Sequence, residues 1–189
     1  MPSPRVSQHL LVEPIFFGFA GRIGSGKTSA ARYVSSKYGF QYTRYSAVLQ
    51  NRLAADGYGK DRLQKLGWDI MAGGQQVELN SLLLAGLDRS RSTAIDGLRH
   101  RIDFDSLSST FGQSFHLVFL QARQETRFER LRTRFSDYAA FRQADSHPVE
   151  AHIDSLQSLA SIVISNDEAL EGVYRRLDEL ITLEAGELN

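Results

Sequence analysis

The chain has 189 residues, 42% of them hydrophobic and 23% charged, a composition that excludes a disordered or fibrous protein. Twenty-two basic residues balance twenty-two acidic ones, so no global charge would hold a nucleic acid or an anionic membrane surface, and any anion site must be local. The absence of cysteine excludes a disulfide framework, a thiolate metal site and a cysteine nucleophile.

The length predicts one domain over residues 1–189, in which residues 1–14 form a polar N-terminal arm. This arm lacks the apolar core of a signal peptide, and no apolar run approaches the length of a membrane span. We therefore expect a cytoplasmic protein that is not bound to a membrane.

The elements alternate between short apolar strands and helices. We predict strands at 15–21, 40–44, 92–96, 116–122 and 161–165. Helices are predicted from the glycine loop to Gly39, from a Ser46 cap to Ala55, and near 123–135, 149–159 and 168–183. The region 46–90 is mostly helical in this interpretation, with Leu63, Leu66 and Ile70 on one helical face, and 136–148 is the candidate mobile loop. Five strands alternating with helices indicate an α/β fold with a parallel sheet covered on both faces.

The stretch GFAGRIGSGKTSAARYV (18–34) carries the P-loop spacing, a glycine, four residues, then Gly-Lys-Thr. Between a buried strand and a helix, such a loop turns its backbone N–H groups toward phosphate oxygens, and the helix N-terminus adds positive potential. Lys27 is expected to reach the β- and γ-phosphates of ATP, and the Thr28 hydroxyl to bind Mg²⁺. The alternative is a glycine-rich turn with an exposed lysine. The predicted ATP-binding residues of the loop are Gly21, Arg22, Ile23, Gly24, Ser25, Gly26, Lys27, Thr28 and Ser29.

Asp96 follows the apolar residues of the third strand, at the edge of the sheet where an open parallel sheet binds ligands. If that strand neighbours the P-loop strand, Asp96 would bind Mg²⁺ together with Thr28. Two alternatives are that Asp96 caps the following helix and that it orients the attacking group of the acceptor. Arg99 is expected to bind a phosphate of the acceptor.

Arginines recur at helical spacing in QARQETRFERLRTRF. Arg123, Arg127, Arg130 and Arg134 would share one side of a helix beside an apolar face. We predict a lid that closes on ATP, in which Arg127, Arg130 and Arg134 stabilise the charge of the transferring phosphoryl group. The alternative is a solvated face with salt bridges to nearby glutamates.

The junction after the last strand carries Asn166 and Asp167. Asn166 could present its amide to the base of the nucleotide. Helix capping by Asn or Asp is the alternative interpretation.

The order of these features resembles a known family. GFAGRIGSGKTSAARYV is similar to the opening of dephospho-CoA kinases and related nucleotide kinases, and AIDGLRH followed by ETRFERLRTR is similar to the middle of archaeal nucleotide-kinase-like proteins and deoxynucleoside monophosphate kinases. The resemblance covers residues 15–183. It implies a P-loop three-layer sandwich with a five-stranded parallel sheet of order 2-3-1-4-5, a helical acceptor-binding region at 46–90 and a short lid at 123–148. It also implies that Asn166 approaches adenine.

This chain departs from dephospho-CoA kinases just past the second strand, where they carry an acidic residue and this sequence has Ser46. Ser46 is therefore a predicted substrate-binding residue, and a nucleoside or deoxynucleoside monophosphate is the favoured acceptor. The predicted function is ATP-dependent phosphoryl transfer with ATP and Mg²⁺, without nucleic acid as a partner. Alternatives are a dephospho-CoA kinase-like activity, a kinase acting on nucleic acid, and an ATP-binding switch or sensor with slow hydrolysis.

Overall fold

One parallel sheet runs through the part of the chain that the computed structural model describes, residues 13–55, 69–70 and 73–187. Within those residues the order of the strands across the sheet is β2-β3-β1-β4-β5, and every neighbouring pair is parallel. The predicted α/β class and the strand order 2-3-1-4-5 are confirmed. The strands are β1 (Phe16–Ala20), β2 (Gln41–Arg44), β3 (Thr93–Leu98), β4 (Phe115–Gln121) and β5 (Ile162–Ser165).

Helices cover both faces of this sheet. Short 3₁₀ turns lie at Gly112–Ser114 and Gln157–Leu159. The described helices are α1 (Lys27–Tyr38), α2 (Tyr45–Ala55), α3 (Gln76–Ala85), α4 (Arg101–Phe111), α5 (Gln124–Arg130), α6 (Tyr138–Asp145), α7 (Pro148–Asp154) and α8 (Leu170–Glu187). None of them is long and apolar enough to cross a membrane.

Two hydrophobic cores lie on opposite faces of the central strand, because successive side chains of a strand point to opposite sides. Phe17 and Phe19 of β1 pack with α1 and α8. Phe16 and Ala20 belong to the other core, with side chains of α2, α3 and α4. The sheet and the helices packed on its two faces form the three layers that the family resemblance implies.

The segment between β4 and β5 differs from the sequence prediction. The helix predicted near 123–135 ends at Arg130. A turn follows, in which the Arg134 amide donates a hydrogen bond to the Leu131 carbonyl oxygen at 2.8 Å. The mobile loop predicted at 136–148 was wrong: α6 begins after Asp137, whose carboxylate caps it by accepting from the Ala140 amide at 2.8 Å. Phe141 of this helix is fully buried, so apolar packing holds a segment whose polar composition suggested a loop. The helix predicted at 149–159 is divided between α7 and a 3₁₀ turn.

The predicted acceptor-binding region contains α2 and α3 among its described residues. Ser46 lies inside the first turn of α2, which begins at Tyr45, and so it is not the cap that the sequence suggested. Ile70 is buried in the core next to these helices, whereas Leu63, Leu66 and most of the N-terminal arm lie outside the described residues. The domain division, with an acceptor region at 46–90 and a lid at 123–148, stays a prediction.

Candidate active site

The glycine loop joins the central strand β1 to α1 and depends on residues without a side chain. Gly26 has φ of 98°, and a Cβ there would lie 2.2 Å from Asn166 Nδ2. Gly21 has φ of 142°, and a Cβ there would lie 2.3 Å from the Leu120 carbonyl oxygen. Because both positions combine a left-handed backbone with a close neighbour, only glycine fits them.

Lys27 is the first residue of α1, and its side chain reaches back across the loop. Its ammonium Nζ lies 3.4 Å from the Arg22 carbonyl oxygen. Burial and the nearby Arg99 charge lower the pKa of Lys27 to about 8, although Asp96 and Glu150 act in the opposite direction. A bound polyphosphate would supply the negative charge that favours the ammonium form.

Asp96 lies beside Phe19 of β1 in the sheet and faces the start of α1. Its Oδ2 atom accepts hydrogen bonds from the Thr28 hydroxyl at 2.8 Å and from the Tyr42 hydroxyl at 3.0 Å. Its Oδ1 atom is buried and has no hydrogen-bond partner among the described residues. The capping interpretation of Asp96 was wrong, because α4 starts later and His100 is its N-cap.

A carboxylate and a hydroxyl are ligands that suit Mg²⁺, which is bound by one or two carboxylates together with substrate phosphates and water. The unpartnered Oδ1 of Asp96 is a buried polar atom that lacks the partner such atoms normally have. Asp96 and Thr28 therefore fit the predicted metal.

Acidic residues of α7 contact the first residues of the loop. Glu150 is 3% exposed; its Oε2 accepts from the Ile23 amide at 2.9 Å and its Oε1 from the Arg99 guanidinium at 2.7 Å. Arg22, at the start of the loop, donates to both carboxylate oxygens of Asp154, at 2.9 and 2.6 Å. These contacts hold the loop against α7, and no motif in the sequence predicts them.

Arg127 lies beneath the loop and not in the cavity, which differs from its predicted role at the transferring group. Arg127 is 4% exposed, and its guanidinium donates two hydrogen bonds to Asp145, at 2.5 and 2.9 Å. It also donates to the carbonyl oxygens of Ala122 and Ile23, both at 3.1 Å. Burial alone would raise the pKa of Asp145, but the hydrogen bonds from Arg127 and Gln124 hold it below its ordinary value. Arg127 therefore stabilises the position of the loop through its hydrogen bond to the Ile23 carbonyl oxygen.

Arg130 and Arg134 line the cavity, and their role in a closing lid stays a prediction. A guanidinium nitrogen of Arg130 lies 3.4 Å from Asn166 Oδ1 and 3.3 Å from the Glu168 carbonyl oxygen. Asn166 in turn donates from Nδ2 to the Ser25 carbonyl oxygen at 2.8 Å. The capping interpretation of Asn166 was wrong, since α8 begins four residues later and this amide holds the glycine loop.

One cavity of about 680 Å³ opens in front of the loop. Four of the predicted site residues do not line the cavity: Gly21, Arg22, Ser25 and Arg127. Those that line it are Ile23, Gly24, Gly26, Lys27, Thr28, Ser29, Ser46, Asp96, Arg99, Arg130, Arg134 and Asn166.

The far end of the cavity is formed by α2, α3 and α4. The residues that line this end are Tyr45, Leu49, Gln76, Leu79 and Asp103. The sequence did not indicate Gln76, Asp103 or Glu150 as residues of the site. Gln76 and Glu150 contact side chains or amides from distant parts of the chain, so no local spacing indicates them. Asp103 is the third residue of α4 and also accepts from the nearby amides of Arg99 and His100, in a capping box.

The glycine loop between β1 and α1 and the strand order β2-β3-β1-β4-β5 define a P-loop fold of the kinase type. The solved structure of TT1252 from Thermus thermophilus matches this chain with a TM-score of 0.59 at 16% identity, covering 90% of this chain and 97% of that one. A shikimate kinase from Bacteroides thetaiotaomicron has a TM-score of 0.59 at 16% identity, covering 89% and 98%. A sugar kinase from Janibacter has a TM-score of 0.56 at 19% identity, covering 92% and 97%. At these identities the likeness establishes the fold.

Comparison by sequence finds one distant relative of this chain. A UPF0200 protein from Thermoplasma volcanium is 26% identical over 148 residues, which cover 75% of this chain and 76% of that protein. No protein-family model matches the chain.

Proposed function

We propose that this protein transfers the γ-phosphoryl group of ATP to a small acceptor. The observation that carries the proposal is the pairing of Thr28 with Asp96 at 2.8 Å, beside Lys27, at the wall of one cavity. A cation, a hydroxyl and a partly unpartnered carboxylate at the start of a helix form a site for a metal-bound polyphosphate.

The donor side of the site uses the loop and the groups that hold it. The loop amides and Lys27 would bind the phosphates of ATP. Asn166 and Arg127 stabilise the loop by donating hydrogen bonds to its Ser25 and Ile23 carbonyl oxygens. Thr28 and Asp96 would hold Mg²⁺. When bound, Mg²⁺ supplies charge neutralisation for the phosphate oxygens.

The transferring group would face the two cavity arginines. Arg130 and Arg134 are exposed on the cavity wall, and positive charge there stabilises the oxygens of a phosphoryl group in flight. Such chemistry depends on positioning and charge more than on covalent help from the protein.

The acceptor would occupy the end of the cavity formed by α2, α3 and α4. We infer a nucleoside or deoxynucleoside monophosphate, with Ser46 and Arg99 as the contacts of its phosphate. Arg99 is 41% exposed and at present pairs with Glu150, so an incoming phosphate would compete with that carboxylate for the guanidinium. The approach of Asn166 to adenine stays a prediction; its amide donates to the Ser25 carbonyl oxygen and accepts from Arg130.

The experiment is an assay of ADP release from ATP and Mg²⁺ across a panel of acceptors. The panel holds ribo- and deoxynucleoside monophosphates, dephospho-CoA, and the hydroxyl acceptors shikimate and gluconate, for which structural neighbours are named. We expect turnover with a monophosphate and none with the other three. If the rate of ADP release is the same with and without every acceptor, the protein is a hydrolysing switch and the proposal is contradicted. Lys27→Ala is the control for contaminating kinases.

A further inference from the structure

A buried polar network lies at the acceptor end of the cavity and is centred on Asp103. This residue of α4 is 1% exposed, and four N–H groups point at its two oxygens. Oδ2 accepts from the backbone amides of Arg99 and His100, both at 3.0 Å. Oδ1 accepts from Gln76 Nε2 at 2.5 Å and from Asn80 Nδ2 at 3.0 Å.

These contacts fix which way the side-chain amides face. A carboxylate accepts about four hydrogen bonds and donates none, so Asp103 is saturated and forces both amides to present their nitrogen to it. Asn80 therefore points its oxygen the other way, and that oxygen accepts from the Tyr45 hydroxyl. Burial raises the pKa of Tyr45 well above its ordinary value, which keeps the phenol protonated as a donor.

Gln76 lines the cavity under the same constraint. One Nε2 hydrogen of Gln76 is held by Asp103, so the amide cannot exchange its nitrogen and oxygen ends. The oxygen Oε1 therefore keeps one place, and among the described residues no hydrogen bond to it is found. A free glutamine can turn its amide over to suit a donor or an acceptor, whereas this one offers an acceptor at the fixed place of Oε1.

The surfaces around Gln76 suit a flat ring. Leu49 and Leu79 line the cavity from α2 and α3, together with the buried Tyr45. Apolar and aromatic walls with one oriented polar group are the usual arrangement of a small-molecule site.

We propose that Gln76 is the specificity-determining residue of the acceptor subsite, and that it selects a nucleotide base carrying an exocyclic amino group over the matching base with an oxo group. The inference rests on the proposed monophosphate acceptor. An amino group donates to Gln76 Oε1, whereas an oxo group in its place sets two acceptor oxygens against each other and leaves both unpaired. Asp103 acts as a positioning residue, because it decides which end of Gln76 the base meets.

The test compares CMP with UMP and AMP with IMP, in binding by calorimetry and in transfer from ATP. We expect the amino member of the pair that binds to be favoured by about tenfold or more. Gln76→Met keeps the shape of the side chain but removes the oriented oxygen, and should bring the ratio toward one. Gln75→Met is the matched control, since Gln75 is exposed at the adjacent position and makes no side-chain cap contact.

Each result separates this inference from the broader proposal. A ratio of about tenfold that Gln76→Met abolishes and Gln75→Met preserves supports it. Equal binding of amino and oxo members by the unmodified protein, with transfer intact, overturns the role of Gln76 alone, and this readout needs no variant to fold. Failure of all four monophosphates to bind, while ATP and Mg²⁺ bind, overturns the acceptor class and this inference together.

Discussion

Thr28 donates its hydroxyl hydrogen bond to Asp96 at 2.8 Å, although 68 residues separate the two in sequence. The contact arises because β3 pairs directly with β1, which places Asp96 next to Phe19 and close to the loop that follows β1. The two oxygen-bearing side chains thus meet at the start of α1, where the helix N-terminus favours anions. A metal-bound nucleotide at this point would contact both of them.

Replacing Asp96 by asparagine should raise the Mg²⁺ concentration needed for half-maximal activity. The change keeps the shape but removes the charge that the metal requires, and we expect a loss on the order of tenfold to a hundredfold in Mg²⁺ affinity. A titration of activity against Mg²⁺ measures it. Tyr42→Phe removes the second hydrogen bond to Oδ2 and should have a smaller effect. A Mg²⁺ titration of Asp96→Asn that overlays the unmodified protein would exclude the metal role.

The affinity for ATP should fall as the pH rises above 8. The pKa of Lys27 is about 8 without nucleotide, so below that pH the ammonium is already present, whereas above it binding must add a proton. We expect a decrease of about tenfold between about pH 7 and pH 9, with proton uptake at the higher pH. Calorimetry in buffers of different ionisation enthalpy measures both quantities. Lys27→Arg cannot lose its charge in this range, so a matching pH dependence in that variant would assign the effect to another group.

Removing one member of the Arg127–Asp145 pair should strongly destabilise the protein. Both side chains are almost fully buried, and Asp145→Leu would leave Arg127 as an unpaired charge, at a cost of about 3–5 kcal/mol in the free energy of unfolding. Arg127→Met should cost less, because Asp145 would keep Arg22 at 3.4 Å and the Gln124 amide at 2.8 Å. Chemical denaturation of Arg127→Met and of Asp145→Leu measures this. The double variant should recover part of the loss, because neither charge then remains.

The control for this pair is Arg132→Met, which breaks the exposed contact of Arg132 with Glu129. Exposed pairs of this kind contribute about 0–1 kcal/mol. If Arg127→Met lowers the free energy of unfolding no more than Arg132→Met does, the buried pair does not stabilise the protein.

Glu150→Gln should strengthen the binding of a monophosphate acceptor. The amide oxygen can still accept from the Ile23 amide, but it no longer competes as an anion for Arg99. We expect KM for the acceptor to fall by roughly threefold to tenfold, with KM for ATP unchanged. Glu129→Gln is the control, because that exposed carboxylate lies away from the cavity lining. A rise in KM for the acceptor would instead show that Glu150 helps to bind it.

Much of the fold was predictable because its signals are local. The apolar run before Gly21 indicates a buried strand, and the spacing from Gly21 to Thr28 indicates the phosphate loop that follows it. The helix α6 was not predictable in the same way. Its two buried residues are Phe141, which packs against the rings of Phe128 and Phe135, and Asp145, which pairs with Arg127. These contacts are tertiary, and the sequence of the segment itself does not indicate them.

The candidate site was predictable only in part. Lys27 and Thr28 follow from the P-loop spacing and Asp96 from the end of a strand, but the inward direction of Arg127 depends on its buried partner Asp145, which lies 18 residues further along the chain. Glu150 reaches the loop through tertiary contacts between positions more than a hundred residues apart in sequence. Such contacts leave no periodicity in the sequence.

Calorimetry of the purified protein with ATP and Mg²⁺ tests the central claim most directly. We expect measurable heat of binding at one site, a rise in the thermal unfolding midpoint with ATP concentration, and a loss of affinity on the order of a hundredfold in Lys27→Ala with the fold intact. No heat and no thermal shift in the unmodified protein, or equal ATP affinity in Lys27→Ala, would contradict the account.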